Sequence, residues 1–226
     1  MTAPSAEVEP VRRDAPGGSM PFESERHRLV RIATMFATGD WSPLVYALWL
    51  RWRGLEYSNA NDALPKEGHL PQNSGGPVLA KVIRSLRVPK GSVVLDLGVG
   101  MGLAAITLSR YFKLVIGVDH SPDLIAAAKR NVTKMGIDNI QLHCADARVF
   151  SDGLDQVTHV YMFNPFPESV MTVVMGNLRC SLTRAPRRLT IIYMYPFCHT
   201  AILAAGFVHK RNLQFRRSHR FAIYEA

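Results

Sequence analysis

From about residue 77 the chain alternates between short apolar runs rich in β-branched residues and longer stretches of helical period. That pattern predicts an α/β domain on a mainly parallel sheet. Ser92–Leu97 (SVVLDL) reads as a buried first strand and Leu103–Phe112 as the helix after it. Leu114–Asp119 (LVIGVD) reads as a second strand. Ser121 and Pro122 then supply an N-cap and a first-turn proline for a helix running to about Met135 and closed by Gly136. Ile140–Cys144 and Val157–Phe163 (VTHVYMF) are the third and fourth strands, followed by a helix from about Pro167 to Thr183. Arg188–Tyr193 is the fifth strand; after a short helix ending near Gly206, Phe207–Phe215 and Arg220–Tyr224 close the chain as a strand pair.

Ahead of this domain the pattern changes. Residues 22–76 read as a helical extension and linker, with 22–57 helical and Ser42-Pro43 as a start signal. LVYALWLRW places Leu44, Leu48, Trp49 and Trp52 roughly on one face. The plain expectation is a helix packed on the main domain. Sharper alternatives are a substrate lid, a partner-binding face, or a membrane-surface helix with Arg51 and Arg53 at its rim. The linker Asn59–Pro77 is rich in Asn, Pro and Gly. Residues 1–21 hold Pro, Gly, Ser and Ala and read as a mobile tail. That tail lacks the apolar core of a secretory signal. Glu7, Glu9 and Asp14 suit a mitochondrial presequence poorly, although Arg12 and Arg13 leave that address open.

Composition narrows the class. At 226 residues, 47% hydrophobic and 20% charged, the chain suits one globular domain with an appendage, and no run is long and apolar enough to be a transmembrane segment. Cys144, Cys180 and Cys198 form no CxxC pair, which points to a cytoplasmic or other reducing compartment and away from a zinc site or disulfide framework. Cys144 and Cys180 are expected as small core residues. The net charge of +9 is concentrated: nine Lys and Arg in residues 176–226 face the single acid Glu225. A basic surface suits an acidic partner, nucleic acid or an anionic membrane; a solvated basic face without any partner accounts for the charge equally well.

The chemistry gathers at the strand ends. The first strand runs into Asp96-Leu-Gly98-Val-Gly100-Met-Gly102, where glycines allow a sharp turn and close approach of a ligand to helix N-terminal amides. A dinucleotide fingerprint wants a further glycine where Leu103 stands. Alternating glycines preceded by an acid suit a zwitterionic amino-acid moiety carrying a sulfonium better than a pyrophosphate. Asp119, with His120 beside it, closes the second strand 23 residues after Asp96 and can accept both hydroxyls of a ribose. Asp146 follows the third strand and suits an adenine amino group, with Ala147 offering its amide. Each acid alone can be a helix cap. Together they lie where open α/β sheets bind ligands.

DLGVGMG, GVDHSPDLIAAAKRN, HCADA and FNPF resemble the class I methyltransferases across about residues 75–226. The resemblance implies a Rossmann-like, seven-stranded, mostly parallel sheet with helices on both faces, here at residues 77–226. The sixth strand would lie at the edge and the seventh antiparallel between it and the fifth. It implies S-adenosyl-L-methionine as cofactor, its methionine end bracketed by Asp96, Gly98, Gly100 and Gly102, its ribose at Asp119 and its adenine at Asp146. Asn164-Pro165-Phe166-Pro167 stands where this family places substrate. It is similar to the (Asp/Asn)-Pro-Pro-(Tyr/Phe) motif of enzymes methylating exocyclic amines or amide nitrogens, with a different order. It is also similar to the Asn- and Phe-containing motif of non-SET histone-lysine methyltransferases. Both similarities imply a nitrogen nucleophile on a protein, nucleic acid or small molecule, with Asn164, Pro165 and Phe166 as catalytic candidates; two prolines merely ending a strand is the plain alternative.

Glu168, His69, Tyr195 and His199 are candidate assistants, His199 reading equally as a helix-start residue. Arg216 and Arg217, in the turn between the last two strands, are expected beside the site mouth as contacts for an acidic partner or nucleic acid. A catalytically silent subunit of the same fold, binding RNA or a ribonucleoprotein, is the competing function. A nicotinamide-dependent reductase is disfavoured by Leu103 and by the lack of a Tyr-x-x-x-Lys.

Overall fold

The computed structural model describes residues 42–57, 75–215 and 219–226. Its seven strands are β1 (Val93–Leu97), β2 (Leu114–Asp119), β3 (Ile140–Cys144), β4 (His159–Phe163), β5 (Thr190–Met194), β6 (Val208–Phe215) and β7 (His219–Glu225). They form one sheet in the order β3-β2-β1-β4-β5-β7-β6. The first five run parallel, and β7 enters antiparallel between β5 and β6, with Met194 opposite Phe221 and Thr190 opposite Glu225. The predicted edge and antiparallel positions of the last two strands are those observed.

Among the described residues six α-helices connect or flank them, α1 (Ser42–Trp52), α2 (Pro77–Leu86), α3 (Leu103–Leu108), α4 (Pro122–Met135), α5 (Glu168–Arg184) and α6 (His199–Ala204), with a 3-10 turn at Leu154–Gln156. β1 is buried along its whole length, as a central strand covered on both faces must be. One face packs Leu95, Leu97, Val160 and Ile191 against Met171, Met175 and Leu178 of α5 and Ile202 of α6. The other packs Val94, Val115 and Ile192 against Leu79, Val82 and Ile83 of α2 and Ala105 and Leu108 of α3. α4 starts and stops as predicted: Ser121 accepts a hydrogen bond from the Leu124 amide, and Gly136 closes the helix at φ 63°.

Several expectations are corrected. The helix after β1 ends at Leu108, and Phe112 is buried in the turn beyond it. α2 fills a stretch that the sequence left unassigned between the linker and Ser92; its signal is Pro77 at the first turn and apolar Leu79, Val82 and Ile83 at helical spacing. α1 does pack on the domain, but through Tyr46, Trp49 and Leu50, whereas Leu48 and Trp52 are exposed. The buried face is chosen by what lies beneath it: Leu103, Ile106 and Val132 form one cluster with Leu50 and Leu55. Cys144 and Cys180 are exposed, not core. Cys144 ends the edge strand β3, which has a neighbour on one side only, and Cys180 lies on the solvent side of α5.

The C-terminal charge is partly structural. Arg184 pairs with Asp155, and Arg188 and Lys210 with Glu225. Arg187 donates to the carbonyls of Leu154, Val157, Ser181 and Ala185 and to the Ser181 hydroxyl, so one planar fork closes the C-terminal end of α5 onto the loop before β4. Arg187→Leu is expected to lower unfolding free energy by about 2–3 kcal/mol, because several half-buried acceptors lose a charged donor at once. Urea titration measures this, and a shift below about 0.5 kcal/mol would show that water replaces the guanidinium at no cost.

Candidate active site

The carboxyl ends of β1 and β2 are joined by a clamp. Gly98, Gly100 and Gly102 have φ of 74°, 54° and 80°, left-handed values that favour glycine. The amides of Gly98 and Val99 both donate to the Val118 carbonyl. Asp119, buried at the end of β2, accepts from the Gly100 amide at 3.0 Å through Oδ2 and from the Ser121 amide at 3.0 Å through Oδ1. A Cβ at Gly100 would meet nothing within 4 Å, so this side of the loop faces open space. A Cβ at Gly98 would stand 2.6 Å from Pro165 Cβ, so the glycine loop and the Asn-Pro-Phe-Pro segment touch.

Asp96 is 2% exposed, and its Oδ2 is the buried side-chain atom without a hydrogen-bond partner among the described residues. Burial, reinforced by the nearby charge of Asp119, pushes its carboxyl up to about 8. The exposed His120 places Nδ1 3.5 Å from Asp119 Oδ1. Asp146 is held by Arg148, whose backbone amide, Nε and Nη2 all donate to it at 2.6–3.1 Å. Those hydrogen bonds hold the Asp146 carboxyl below the usual range. Arg148 is a residue that sequence reasoning missed; its signal is the two-residue spacing in Asp-Ala-Arg, which lets the side chain fold back. Ala147 is half-buried against the core.

The ends of β4 and β5 carry the other half. Asn164 sits at φ 42° and Tyr195 at φ 52°, a conformation unusual outside glycine and a mark of a constrained site. The buried Tyr193 hydroxyl donates to Asn164 Oδ1 at 3.1 Å and accepts from the Cys198 amide at 3.4 Å. Desolvation pushes the Tyr193 phenol upward, so it stays a proton donor. The half-buried Phe166 packs against the core, and its carbonyl accepts from the Cys198 thiol. Phe163 and Tyr195 have ring centroids 5.4 Å apart, and Phe197 is 78% exposed. Tyr193 and Phe197 were not among the sequence candidates, since a strand tyrosine and a loop phenylalanine carry no signal until β5 is set beside β4.

Glu168 opens α5 and is exposed. His199 is a helix-start residue whose Nδ1 lies 2.7 Å from the Tyr224 hydroxyl, with the His209 ring alongside, so its ring is engaged within that cluster. His69, Arg216 and Arg217 lie outside the described residues. The facing ends of β6 and β7 reach past the carboxyl end of β5, since the Tyr195 amide donates to the Arg220 carbonyl and Phe215 pairs with His219. Among the described residues there is no metal-binding cluster, and no helix is long and apolar enough to cross a membrane.

Residues 94–183 match the methyltransferase domain family. The chain is 27% identical over 161 residues to a 23S rRNA (uracil(1939)-C(5))-methyltransferase of Xanthomonas euvesicatoria, covering 70% of this chain and 33% of that protein. It is 36% identical over 88 residues to an uncharacterized RNA methyltransferase of Chlamydia caviae, covering 38% of this chain and 22% of that one. The chain therefore spans about a third or less of these relatives. A SAM-dependent methyltransferase from Aquifex aeolicus has the same fold: TM-score 0.51 at 18% identity, over 65% of this chain and 88% of that structure. Residues 94–183 thus match a methyltransferase domain family, on a fold shared with a SAM-dependent methyltransferase.

Proposed function

We propose that the protein methylates a nitrogen of an RNA base. The observation that carries this reading is the contact between Gly98 and Pro165, which sets the acceptor motif directly against the cofactor loop. Asp96, Gly98, Gly100 and Gly102 would hold the methionine end, Asp119 and His120 the ribose, and Asp146 with Ala147 the adenine. Two features fit that ligand: an unpartnered buried carboxylate oxygen suits a cationic ammonium, and the open side of Gly100 leaves room for it. When bound, the cofactor supplies a methyl group already activated by its sulfonium.

The chain's own contribution is positioning and exclusion of water. Asn164 Oδ1 accepts from Tyr193 on one lone pair and keeps a second for an acceptor N–H. Asn164 is not a base, so the proton leaves the methylated, cationic nitrogen for bulk solvent after transfer. Phe163, Tyr195 and the exposed Phe197 offer stacking faces for an unpaired base, and Arg220 is exposed beside Tyr195 for a backbone phosphate. RNA as the acceptor class is also supported by the two relatives named for RNA. Nitrogen rather than pyrimidine carbon is supported by Cys198. Carbon methylation calls for a thiolate to add to the ring, and burial pushes this thiol up while its S–H donates to Phe166.

The test is transfer of labelled methyl to fractionated RNA, protein and small-molecule pools. Label is expected in RNA, falling at least about tenfold with Asn164→Ala and severalfold with Phe197→Ala; label confined to protein or small molecules would overturn the RNA assignment. The silent-subunit reading draws on one observation, the closure of Asp146 by Arg148. Titration with S-adenosylhomocysteine decides it, because a silent subunit binds weakly or not at all.

A further inference from the structure

One fully buried side chain in α4, the last residue of GVDHSPDLIAAAKRN, has no part in the cofactor and acceptor contacts described above yet touches the glycine-rich loop. Asn131 is 0% exposed. Its Oδ1 accepts from the Glu56 amide at 2.8 Å, and its Nδ2 donates to the Glu56 carbonyl at 2.9 Å and to the Met101 carbonyl at 3.0 Å. An asparagine in mid-helix competes with the helix for backbone hydrogen bonds and is a poor choice there without specific partners. Here every partner lies on another element, and two segments far apart in sequence meet on the one carboxamide.

The Met101 carbonyl belongs to the peptide group whose N–H, that of Gly102, donates to the Val99 carbonyl at 2.9 Å. That peptide plane is therefore held at both ends, between two glycines in left-handed conformations. The other end of the link is equally firm. Leu50 and Leu55 are buried against Leu103, Ile106 and Val132, and Lys134 donates to the Gly54 carbonyl. Arg130 forks onto the Glu56 carboxylate at 2.6 and 2.9 Å, but this pair is exposed and contributes little.

We infer that Asn131 is a positioning residue that splices the N-terminal segment Gly54–Glu56 to the cofactor loop, so that docking of this segment sets part of the cofactor affinity. The inference rests on the cofactor arrangement proposed above. A loop held in its binding conformation before the ligand arrives loses less freedom on binding. Coupling is reciprocal: whatever displaces Gly54–Glu56 weakens cofactor binding, and bound cofactor tightens Gly54–Glu56. The segment is in that sense a handle on the site and not a passive appendage.

Asn131→Asp keeps the size and the acceptor for the Glu56 amide, but removes both donors and sets a carboxylate against two carbonyl oxygens. By calorimetry its dissociation constant for S-adenosylhomocysteine is expected to rise at least tenfold, while Glu56→Gln stays within about twofold of wild type. A folded Asn131→Asp protein with wild-type affinity would overturn the inference. Hydrogen exchange on the unaltered protein gives a test that needs no variant to fold. Saturating S-adenosylhomocysteine should slow the Leu55 and Glu56 amides together with those of residues 98–102. Slowing confined to residues 98–102 overturns the coupling alone, and failure of the unaltered protein to bind S-adenosylhomocysteine overturns the cofactor arrangement with it.

Discussion

Asp96→Asn is expected to make the ligand-free protein more heat-stable at alkaline pH while weakening its binding of S-adenosylhomocysteine at least about 30-fold. Both effects come from one buried oxygen. In the folded chain the Asp96 carboxyl is raised from 3.8 to about 8, because burial penalises its charge and Asp119 adds repulsion. A raised folded-state value means that folding favours the protonated form. Its stability contribution is present in full below about pH 4 and is lost as pH rises through about 8. Asparagine stays neutral throughout, so it escapes this loss, which amounts to several kcal/mol by order of magnitude. The two proteins should melt within a few degrees of each other at pH 5, with the variant at least about 5 °C higher at pH 9. With the proposed ammonium partner bound at Asp96, the variant removes one member of a desolvated charge pair, which costs about 2–5 kcal/mol. Parallel melting curves from pH 5 to 9 would show that the carboxylate is not buried as described. Unchanged affinity would place the ammonium elsewhere.

Gly98→Ala should abolish methyl transfer and cost about 2–5 kcal/mol of stability. Two strains add here. The residue sits at φ 74°, where a side chain costs about 1–2 kcal/mol, and its new Cβ would meet Pro165 Cβ at 2.6 Å, an overpacking worth about 1–3 kcal/mol. The second strain is shared with Pro165 of the Asn-Pro-Phe-Pro segment, so it can be isolated. Pro165→Ala does not relieve it, because the clashing atom is Cβ; Pro165→Gly does. In the double variant Gly98→Ala/Pro165→Gly, at least about 1 kcal/mol of the destabilisation should return relative to the two single variants added together. Strict additivity in denaturant unfolding would refute the contact between the two motifs.

Much of the site was legible because its signals are local. The turn after β1, the Ser121 cap, Gly136 at the helix end and the acids closing β1, β2 and β3 are each specified by neighbours within a few residues. The edge and antiparallel positions of β6 and β7 were legible through resemblance to the family. What went unread was pairwise at long range. The partner of Asp146 is Arg148, whose fold-back occupies both carboxylate oxygens. Asn164 owes its orientation to Tyr193, which the pairing of β4 with β5 brings alongside. α1 buries Tyr46 and Leu50 instead of Leu48 and Trp52, since its apolar residues surround the helix and periodicity cannot choose among them.

The chain order of strands and helices, the glycine-rich turn and the alternation of buried residues follow from the amino-acid sequence, because backbone sterics, capping and the 2.0 and 3.6 periods act between residues close together. The meeting of Gly98 with Pro165, the stranding of Asp96 Oδ2 without a partner and the splice from Glu56 through Asn131 to Met101 exist only in the folded molecule. Each depends on atoms from segments 30 to 75 residues apart, brought together by burial of the sheet's two faces, and no local rule reaches that far.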